Sequence, residues 1–139
     1  MTIDHICFAV KNIEEGIDYW ERVFEYRQMT GIVINSLQKV KVTFLKKKKS
    51  LTIKLIEPLQ DNQSLLNYVS RGGGFHHICF RCDNIDRKLS DLKDKGLITL
   101  VPPQPGEAFN NHEIAFLLAK YGVNIELIDT DEKAGILPD

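Results

Sequence analysis

The segment DHICF at residues 4–8 is repeated as HHICF at residues 76–80, 72 residues further along the chain. The next match, NIE at 12–14 over NID at 84–86, keeps the same offset, and six of these eight paired positions are identical. Two further pairs hold the offset without a gap: VTFL at 42–45 with IAFL at 114–117, and IKLIE at 53–57 with IELID at 125–129. A register kept over this length predicts an internal duplication.

Both copies predict the same order of elements: one apolar strand, one amphipathic helix, then three more strands. The helices are expected at about 13–24 and 85–95, each directly after an asparagine of the kind that caps a helix N-terminus. The strands are expected at about 3–10, 29–36, 39–46 and 51–57, and at about 75–82, 98–101, 112–118 and 124–129. This order predicts an α+β fold, in which two tandem βαβββ modules form one curved eight-stranded sheet around a cleft.

The length of the chain predicts one domain. With 139 residues, 43% of them hydrophobic, it has enough apolar surface for one core and too little for two domains of usual size. We expect a single domain over 1–139, with module 1 at about 1–71 and module 2 at about 72–130. The glycines at 72–74 predict a flexible joint between them. The tail at 131–139 has no pattern and is expected to be loose or to act as a lid.

The charge balance excludes some classes of partner. Lys and Arg number 18 against 19 Asp and Glu, so the chain lacks the positive field of a protein that binds nucleic acid or an anionic membrane. No signal-peptide pattern and no long apolar run are present, which predicts a cytoplasmic protein that does not enter membranes. The edges of an open sheet favour a homodimer.

Residues that are equivalent in the two copies are expected to converge on the cleft. His5 is equivalent to His77, and Lys54 to Glu126. Two imidazoles and a carboxylate on rigid strands suit a divalent metal such as Zn, Ni, Co, Fe or Mn. A histidine in a strand is more often structural than a ligand, but its recurrence in both copies favours the metal. His76 has the opposite strand parity and is predicted to face away, while His112 and Glu113 are predicted at the surface.

The segments at 4–10, 75–78 and 125–127 resemble the metal-binding strands of the vicinal oxygen chelate (glyoxalase/bleomycin resistance/dioxygenase) superfamily. Within it, LIEPL at 55–59 and PPQPG at 102–106 most resemble methylmalonyl-CoA epimerases. The resemblance covers nearly the whole chain. It implies metal ligands at His5, His77 and Glu126, and a fourth ligand position, usually Gln or Glu, at Lys54.

Lys54 departs from that pattern, because a protonated lysine donates hydrogen bonds and cannot coordinate a metal. One alternative is a metal held by three protein ligands. A second is that the Lys54 ammonium takes the place of the metal and pairs with Glu126. A third is a neutral Lys54 that acts as ligand or base. Glu126 and Lys54 are therefore the candidate catalytic residues, and Glu113 is the nearest other acid that could serve as a second base.

Two functions follow as hypotheses. The resemblance implies a metal-dependent isomerase or lyase, best represented by epimerisation of a methylmalonyl-CoA-like 2-acyl thioester through a metal-stabilised enolate, with lactoylglutathione lyase-like chemistry next. Its substrate would be an acyl-CoA or a carrier-bound acyl group. The alternative is a metal-free small-molecule binding or biosynthetic tailoring protein on the same fold, with Lys54 paired to Glu126.

Overall fold

The computed structural model describes residues 1–139 and contains nine strands and three α-helices. The strands are β1 (Thr2–Ala9), β2 (Arg27–Gln28), β3 (Val33–Asn35), β4 (Val40–Lys46), β5 (Thr52–Pro58), β6 (Gly74–Arg81), β7 (Ile98–Pro105), β8 (Glu113–Leu118) and β9 (Asn124–Ile128). The helices are α1 (Ile13–Phe24), α2 (Gln63–Ser70) and α3 (Ile85–Asp94). The predicted α+β class is confirmed, and no helix is long and apolar enough to cross a membrane.

The duplicated helices begin in the same way. The side chain of Asn12 accepts a hydrogen bond from the backbone N–H of Glu15 at 2.9 Å, and Asn84 accepts one from Arg87 at 2.9 Å. Such caps each stabilise a helix by about 1 kcal/mol. The carboxylates at 57 and 129, near the ends of β5 and β9, accept the first backbone N–H of α1 and of α3. Each helix is thus tied to the last strand of its own copy.

All nine strands form one sheet, in the order β2-β4-β5-β1-β6-β9-β8-β7, with β3 also paired to β4. The equivalent strands β1 and β6 lie side by side and antiparallel at its centre. β1 pairs in parallel with β5 on its other side, as β6 does with β9. This arrangement brings the central strands of both copies to one concave surface.

The strand count differs from the eight predicted, because β2 (Arg27–Gln28) forms ahead of the segment expected as one strand at 29–36, and only Val33–Asn35 of that segment forms a strand, β3. Between β2 and β3, Thr30 replaces regular strand pairing with side-chain bonds: its hydroxyl accepts from the backbone N–H of Phe44 at 3.0 Å. Its carbonyl accepts from the hydroxyl of Thr43 at 2.9 Å. Single-sequence periodicity does not show such an interruption. Helix α2 was also not predicted.

The pairing of β1 with β6 contains two register shifts that matter for the site. Ile3 and His5 pair with Phe80 and Cys79, which leaves Asp4 as an extra residue of β1. Cys7 and Phe8 pair with His77 and Phe75, which leaves His76 as an extra residue of β6. A bulge of this kind re-aims the side chains around it. The two bulges lie at equivalent positions of the two copies.

The two segments expected to be flexible are fixed by contacts. Gly73 has φ of 63°, and a β-carbon there would lie 2.5 Å from the carbonyl oxygen of Ala9, so this turn requires glycine. The tail runs back along the first copy. Leu137 donates its backbone N–H to Met29 at 3.0 Å, and Gly135 accepts one from Gly31 at 2.8 Å. The tail is therefore packed on the domain.

Candidate active site

Three predicted residues converge on one carboxylate oxygen of the fourth, Glu126. The Oε1 atom of Glu126 lies 2.9 Å from Nε2 of His5 and 2.9 Å from Nε2 of His77. The Nζ atom of Lys54 donates to Oε1 at 3.2 Å and to Oε2 at 3.3 Å. All four side chains are buried. The sequence placed these residues at one site, and the structure brings them together; their chemical roles stay proposals.

Two small buried residues hold the four side chains in register. Cys7 pairs with Lys54 on one side and with His77 on the other. Cys79 pairs with Glu126 on one side and with His5 on the other. Both cysteines are fully buried and free. The site therefore has the same pseudo-twofold symmetry as the sequence repeat.

The bulge residues hold the second ring nitrogen of each histidine. Nδ1 of His5 donates to the carboxylate of Asp4 at 2.7 Å. Nδ1 of His77 lies 2.7 Å from Nδ1 of His76. The prediction that His76 faces away was wrong, because the bulge cancels the alternation on which it depended. The signal that could have found both anchors was present, since Asp4 and His76 are equivalent at the 72-residue offset.

Asp4 is held by a residue of the tail that no sequence signal indicated. Lys133 pairs with Asp4 at 3.1 Å, and its ammonium lies 5.0 Å from the ring centre of Phe44 and 5.8 Å from that of Phe109. Both ions are nearly buried. Burial raises the pKa of Asp4, but the hydrogen bond from His5 and the charge of Lys133 outweigh burial and lower the pKa below its usual value. Asp4 is therefore ionised. A fixed anion therefore orients the His5 ring.

Lys54 and Glu126 form a buried ion pair. Burial raises the pKa of Glu126, yet the charges of Lys54 and His77 and the histidine hydrogen bonds hold it well below the usual 4.5. Burial lowers the pKa of Lys54, and the charge of Glu126 outweighs this and raises it above 10.5. In the protein without metal or substrate, Lys54 is thus an ammonium at neutral pH. This direction opposes the alternative of a neutral Lys54 that serves as ligand or base.

The second copy contributes two neutral imidazoles. Burial lowers the pKa of His77 to about 3 despite the nearby carboxylate of Glu126. Burial also lowers the pKa of His76 to about 4. Both rings are therefore uncharged at neutral pH, which leaves lone pairs available for hydrogen bonds or a metal.

A cleft of about 710 Å³ opens beside the site, and Lys54, His76 and His77 line it. No Asp or Glu is among the residues that line it. Glu113, the predicted second base, is exposed at the start of β8 and does not line the cleft. His112 is exposed as predicted. The Glu126 carboxylate contacts two of the lining residues, Lys54 and His77.

Comparison with known proteins agrees with this fold. Residues 4–116 match the model of the glyoxalase/bleomycin resistance protein/dioxygenase superfamily. The chain belongs to this superfamily. This superfamily member is 32% identical to YqjC, an uncharacterized protein of Bacillus subtilis (strain 168), over 91% of both chains.

Methylmalonyl-CoA epimerases are among its relatives within the superfamily. The mitochondrial enzyme of Dictyostelium discoideum is 24% identical, over 94% of this chain and 78% of that protein. The structure of the Streptomyces coelicolor epimerase in complex with 2-nitronate-propionyl-CoA superposes with a TM-score of 0.80 at 25% identity, covering 94% of this chain and 97% of that one.

The donor set of this superfamily member fits a divalent metal. Ligand atoms of His5, His77 and Glu126 lie within 4.8 Å of one another. Nδ1 of His5 is engaged with Asp4, so Nε2 is the ring nitrogen that can coordinate a metal. Asp4 and His76 fix the two rings as partners of metal-bound histidines do. Lys54 cannot coordinate, so the set offers three protein ligands and leaves positions open to a substrate.

Proposed function

We propose that this protein is an isomerase that removes and returns the α-proton of a methylmalonyl-CoA-like 2-acyl thioester, and so epimerises it. The convergence of His5, His77 and Lys54 on the Glu126 carboxylate, beside an open cleft, carries this proposal. The relationship to methylmalonyl-CoA epimerases supports the choice of substrate. The predicted cytoplasmic location and homodimer stay predictions.

The proposed metal ligands are His5, His77 and Glu126. A divalent ion bound there, whether Co, Ni, Zn, Mn or Fe, would supply a Lewis acid that polarises the thioester carbonyl and lowers the free energy of an enolate. The protein supplies the orientation of its ligands. Asp4 and His76 keep the two Nε2 atoms turned toward one point, and burial excludes water from that point.

Lys54 and Glu126 are the proposed catalytic residues. The Lys54 ammonium lines the cleft and would stabilise negative charge that develops on the substrate oxygen. Glu126 would accept the α-proton. The charge of Lys54 is the main cause that lowers the pKa of Glu126 in the chain alone, followed by the charge of His77 and the hydrogen bonds with His5 and His77. We therefore expect Glu126 to become more basic when substrate takes over the bond from Lys54.

Proton exchange and inversion are separate steps of this proposal. No carboxylate lines the cleft, and Glu126 contacts the cleft-lining residues Lys54 and His77, so Glu126 is the one proposed base and would serve one face of the substrate. We therefore expect exchange of the α-proton with retention to be faster than inversion.

The test is to incubate the metal-loaded protein with methylmalonyl-CoA in D₂O. Deuterium at C2 is followed by mass spectrometry, and inversion by an enantioselective assay. Glu126→Gln should reduce exchange by about 10²-fold or more, the usual range for loss of a general base. His112→Ala, which changes an exposed histidine, is the matched control and should leave exchange unchanged. Wild-type protein that exchanges no deuterium with any of the five metals would contradict the proposal.

A second candidate is a metal-free binding or tailoring protein. The observation that favours it is the contact of Lys54 with both oxygens of Glu126, which neutralises the carboxylate without a metal. Elemental analysis of protein purified without chelator separates the two. The isomerase proposal expects near-stoichiometric metal in the wild-type protein and loss of that metal in His5→Ala and Glu126→Ala. It also expects Lys54→Gln to bind the metal about tenfold or more tightly, because a neighbouring positive charge is removed. No metal uptake by any of these proteins would favour the second candidate.

A further inference from the structure

A second group of possible metal ligands lies beside the first. Cys7, His76 and His77 each offer a donor atom, and the three atoms lie within 4.8 Å of one another. Nε2 of His77 is engaged with Glu126, so Nδ1, which lies 2.7 Å from Nδ1 of His76, is the nitrogen that His77 can offer to this group. The Sγ atom of Cys7 makes only a long contact, 3.9 Å, with the carbonyl oxygen of Phe8. The group therefore offers one sulfur and two nitrogen donors.

Strand register and the bulge of β6 bring these three residues together. Cys7 lies on β1 directly across from His77. His76 is the extra residue of β6, so its ring turns toward that of its neighbour instead of away from it. Both histidines line the cleft, which gives an ion a route to the buried sulfur.

The repeat places an equivalent group in the first copy, and that group already contains a cation of the protein. Asp4, His5 and Cys79 also bring their donor atoms within 4.8 Å of one another. There the Lys133 ammonium lies 3.1 Å from the Asp4 carboxylate and is nearly buried. In the second copy, the equivalent residue His76 is a neutral ring whose hydrogen-bond partner is another imidazole. One group is therefore filled by an ammonium, and the other is open to an external cation.

The donor set favours copper. A thiolate with two imidazoles is the ligand set of trigonal copper sites, and thiolates select Cu⁺ among soft ions. Two neutral imidazoles and one thiolate carry a single negative charge, so a monovalent ion gives a neutral site. Neutrality matters here because Lys54 lies beside Cys7 in the register of β5 with β1. A divalent ion would leave two positive charges close together in a buried place, which is costly.

We propose that Cys7, His76 and His77 form a binding site for Cu⁺, distinct from the site proposed for the divalent ion. On binding, one sulfur and two nitrogen atoms coordinate the ion, and the thiol proton of Cys7 is released to solvent. The two Nδ1 atoms must move apart by roughly 0.6 Å, because ligands at about 2.0 Å from one ion lie farther apart than hydrogen-bonded nitrogens. His76 can make this shift, since it lies on a bulge and is only half-buried.

The two sites exclude each other because they share His77. A neutral imidazole carries its proton on one nitrogen and its lone pair on the other. In the structure, Nε2 of His77 donates to the ionised Glu126 carboxylate, so the lone pair is on Nδ1, where Cu⁺ binds. A divalent ion at Nε2 requires the opposite tautomer. Cu⁺ should therefore displace the divalent ion and inhibit isomerisation, a consequence that rests on the proposed function.

The test is an anaerobic titration of chelator-treated protein with Cu⁺, in competition with the coloured copper chelator bicinchoninate. Wild-type protein should bind one Cu⁺ ion per chain. Cys7→Ser and His76→Ala should each weaken this binding by about 100-fold or more, above the usual cost of losing an outer partner. Cys82→Ser is the matched control, because Cys82 is also a buried free cysteine but belongs to neither group. Cys79→Ser, which changes the group of the first copy, should also leave Cu⁺ binding unchanged.

Two further measurements separate this site from the first one. Glu126→Gln should lose the divalent ion and keep Cu⁺, whereas His76→Ala should lose Cu⁺ and weaken Co²⁺ binding by only a few-fold. Prior loading with Cu⁺ should weaken binding of Co²⁺ by the wild-type protein about tenfold or more, as mutual exclusion at His77 requires. Melting temperatures establish that each variant is folded, and His76→Ala decides alone if Cys7→Ser is not.

Three outcomes would overturn the proposal. These are a wild-type protein that binds Cu⁺ no more tightly than His76→Ala, a loss in Cys79→Ser or Cys82→Ser as large as that in Cys7→Ser, and an affinity for Co²⁺ that Cu⁺ does not change. Cu⁺ binding with the expected losses, but without deuterium exchange in the metal-loaded protein, contradicts only the proposed function. Exchange that proceeds in a protein without Cu⁺ binding contradicts only this proposal.

Discussion

The two halves of the site have the same geometry and different charges. In the first half, an anion at the bulge (Asp4) orients a histidine, and the position on the neighbouring strand is a cation (Lys54). In the second half, the bulge residue is a neutral histidine (His76), and the equivalent strand position is an anion (Glu126). A strict duplication would place two like charges within hydrogen-bond distance in a buried site, at high cost. The difference between the copies gives an ion pair instead.

The largest expected effect on stability comes from removing one partner of that ion pair. Glu126→Leu leaves the Lys54 ammonium buried without its partner, which should lower the free energy of unfolding by about 3–5 kcal/mol. Replacing both residues, as Lys54→Met with Glu126→Leu, should restore most of this stability, because neither charge remains buried. Urea unfolding of the two single variants and the double variant gives the coupling energy. A double variant as unstable as Glu126→Leu alone would show that packing, and not charge pairing, dominates at this position.

The second expected effect is a decrease in the free energy of unfolding at acid pH, caused by the two buried histidines of the second half of the site. Burial lowers the pKa of His77 to about 3 and that of His76 to about 4, below the 6.5 of an unfolded imidazole. Below pH 6.5 the unfolded chain therefore binds protons that the folded chain does not, and the free energy of unfolding decreases as the pH falls. Each histidine should contribute a loss of about 2 kcal/mol by pH 5, at about 1.4 kcal/mol per pH unit.

Urea unfolding of chelator-treated protein at pH 7 and pH 5 measures this loss. His76→Gln should reduce it by one histidine's share. His112→Gln, which removes an exposed histidine, should leave it unchanged. An equal reduction in the two variants would mean that the acid sensitivity does not come from the buried pair.

The smallest expected effect concerns the anchors of the two histidines. Asp4→Ala removes a charged partner of His5 and should weaken binding of Co²⁺ or Mn²⁺ by about 10- to 100-fold, the usual cost of losing such a partner. His76→Ala removes an uncharged partner and should weaken it by only a few-fold. Titration calorimetry with Asp18→Ala, a change of an exposed acid on α1, provides the control. A larger loss in His76→Ala than in Asp4→Ala would reverse the proposed order of the two anchors.

Much of the fold was accessible from the sequence because the repeat is local and ungapped. The helix boundaries follow from Asn12 and Asn84, whose side chains cap the first turns. The central strands follow from apolar runs that recur at one offset. The break between β2 and β3 was not accessible, because it depends on hydrogen bonds between Thr30 and a strand that follows it by more than ten residues.

The same division holds for the site. By itself, the sequence determined that His5, His77, Lys54 and Glu126 are equivalent in pairs, and therefore that they meet across the symmetry of the fold. Only the tertiary structure decided that His76 turns toward His77 and that Lys133 returns from the tail to hold Asp4. Alternation and repeat offset describe regular strands, whereas bulges, turns and returning segments are set by contacts between residues far apart in the chain.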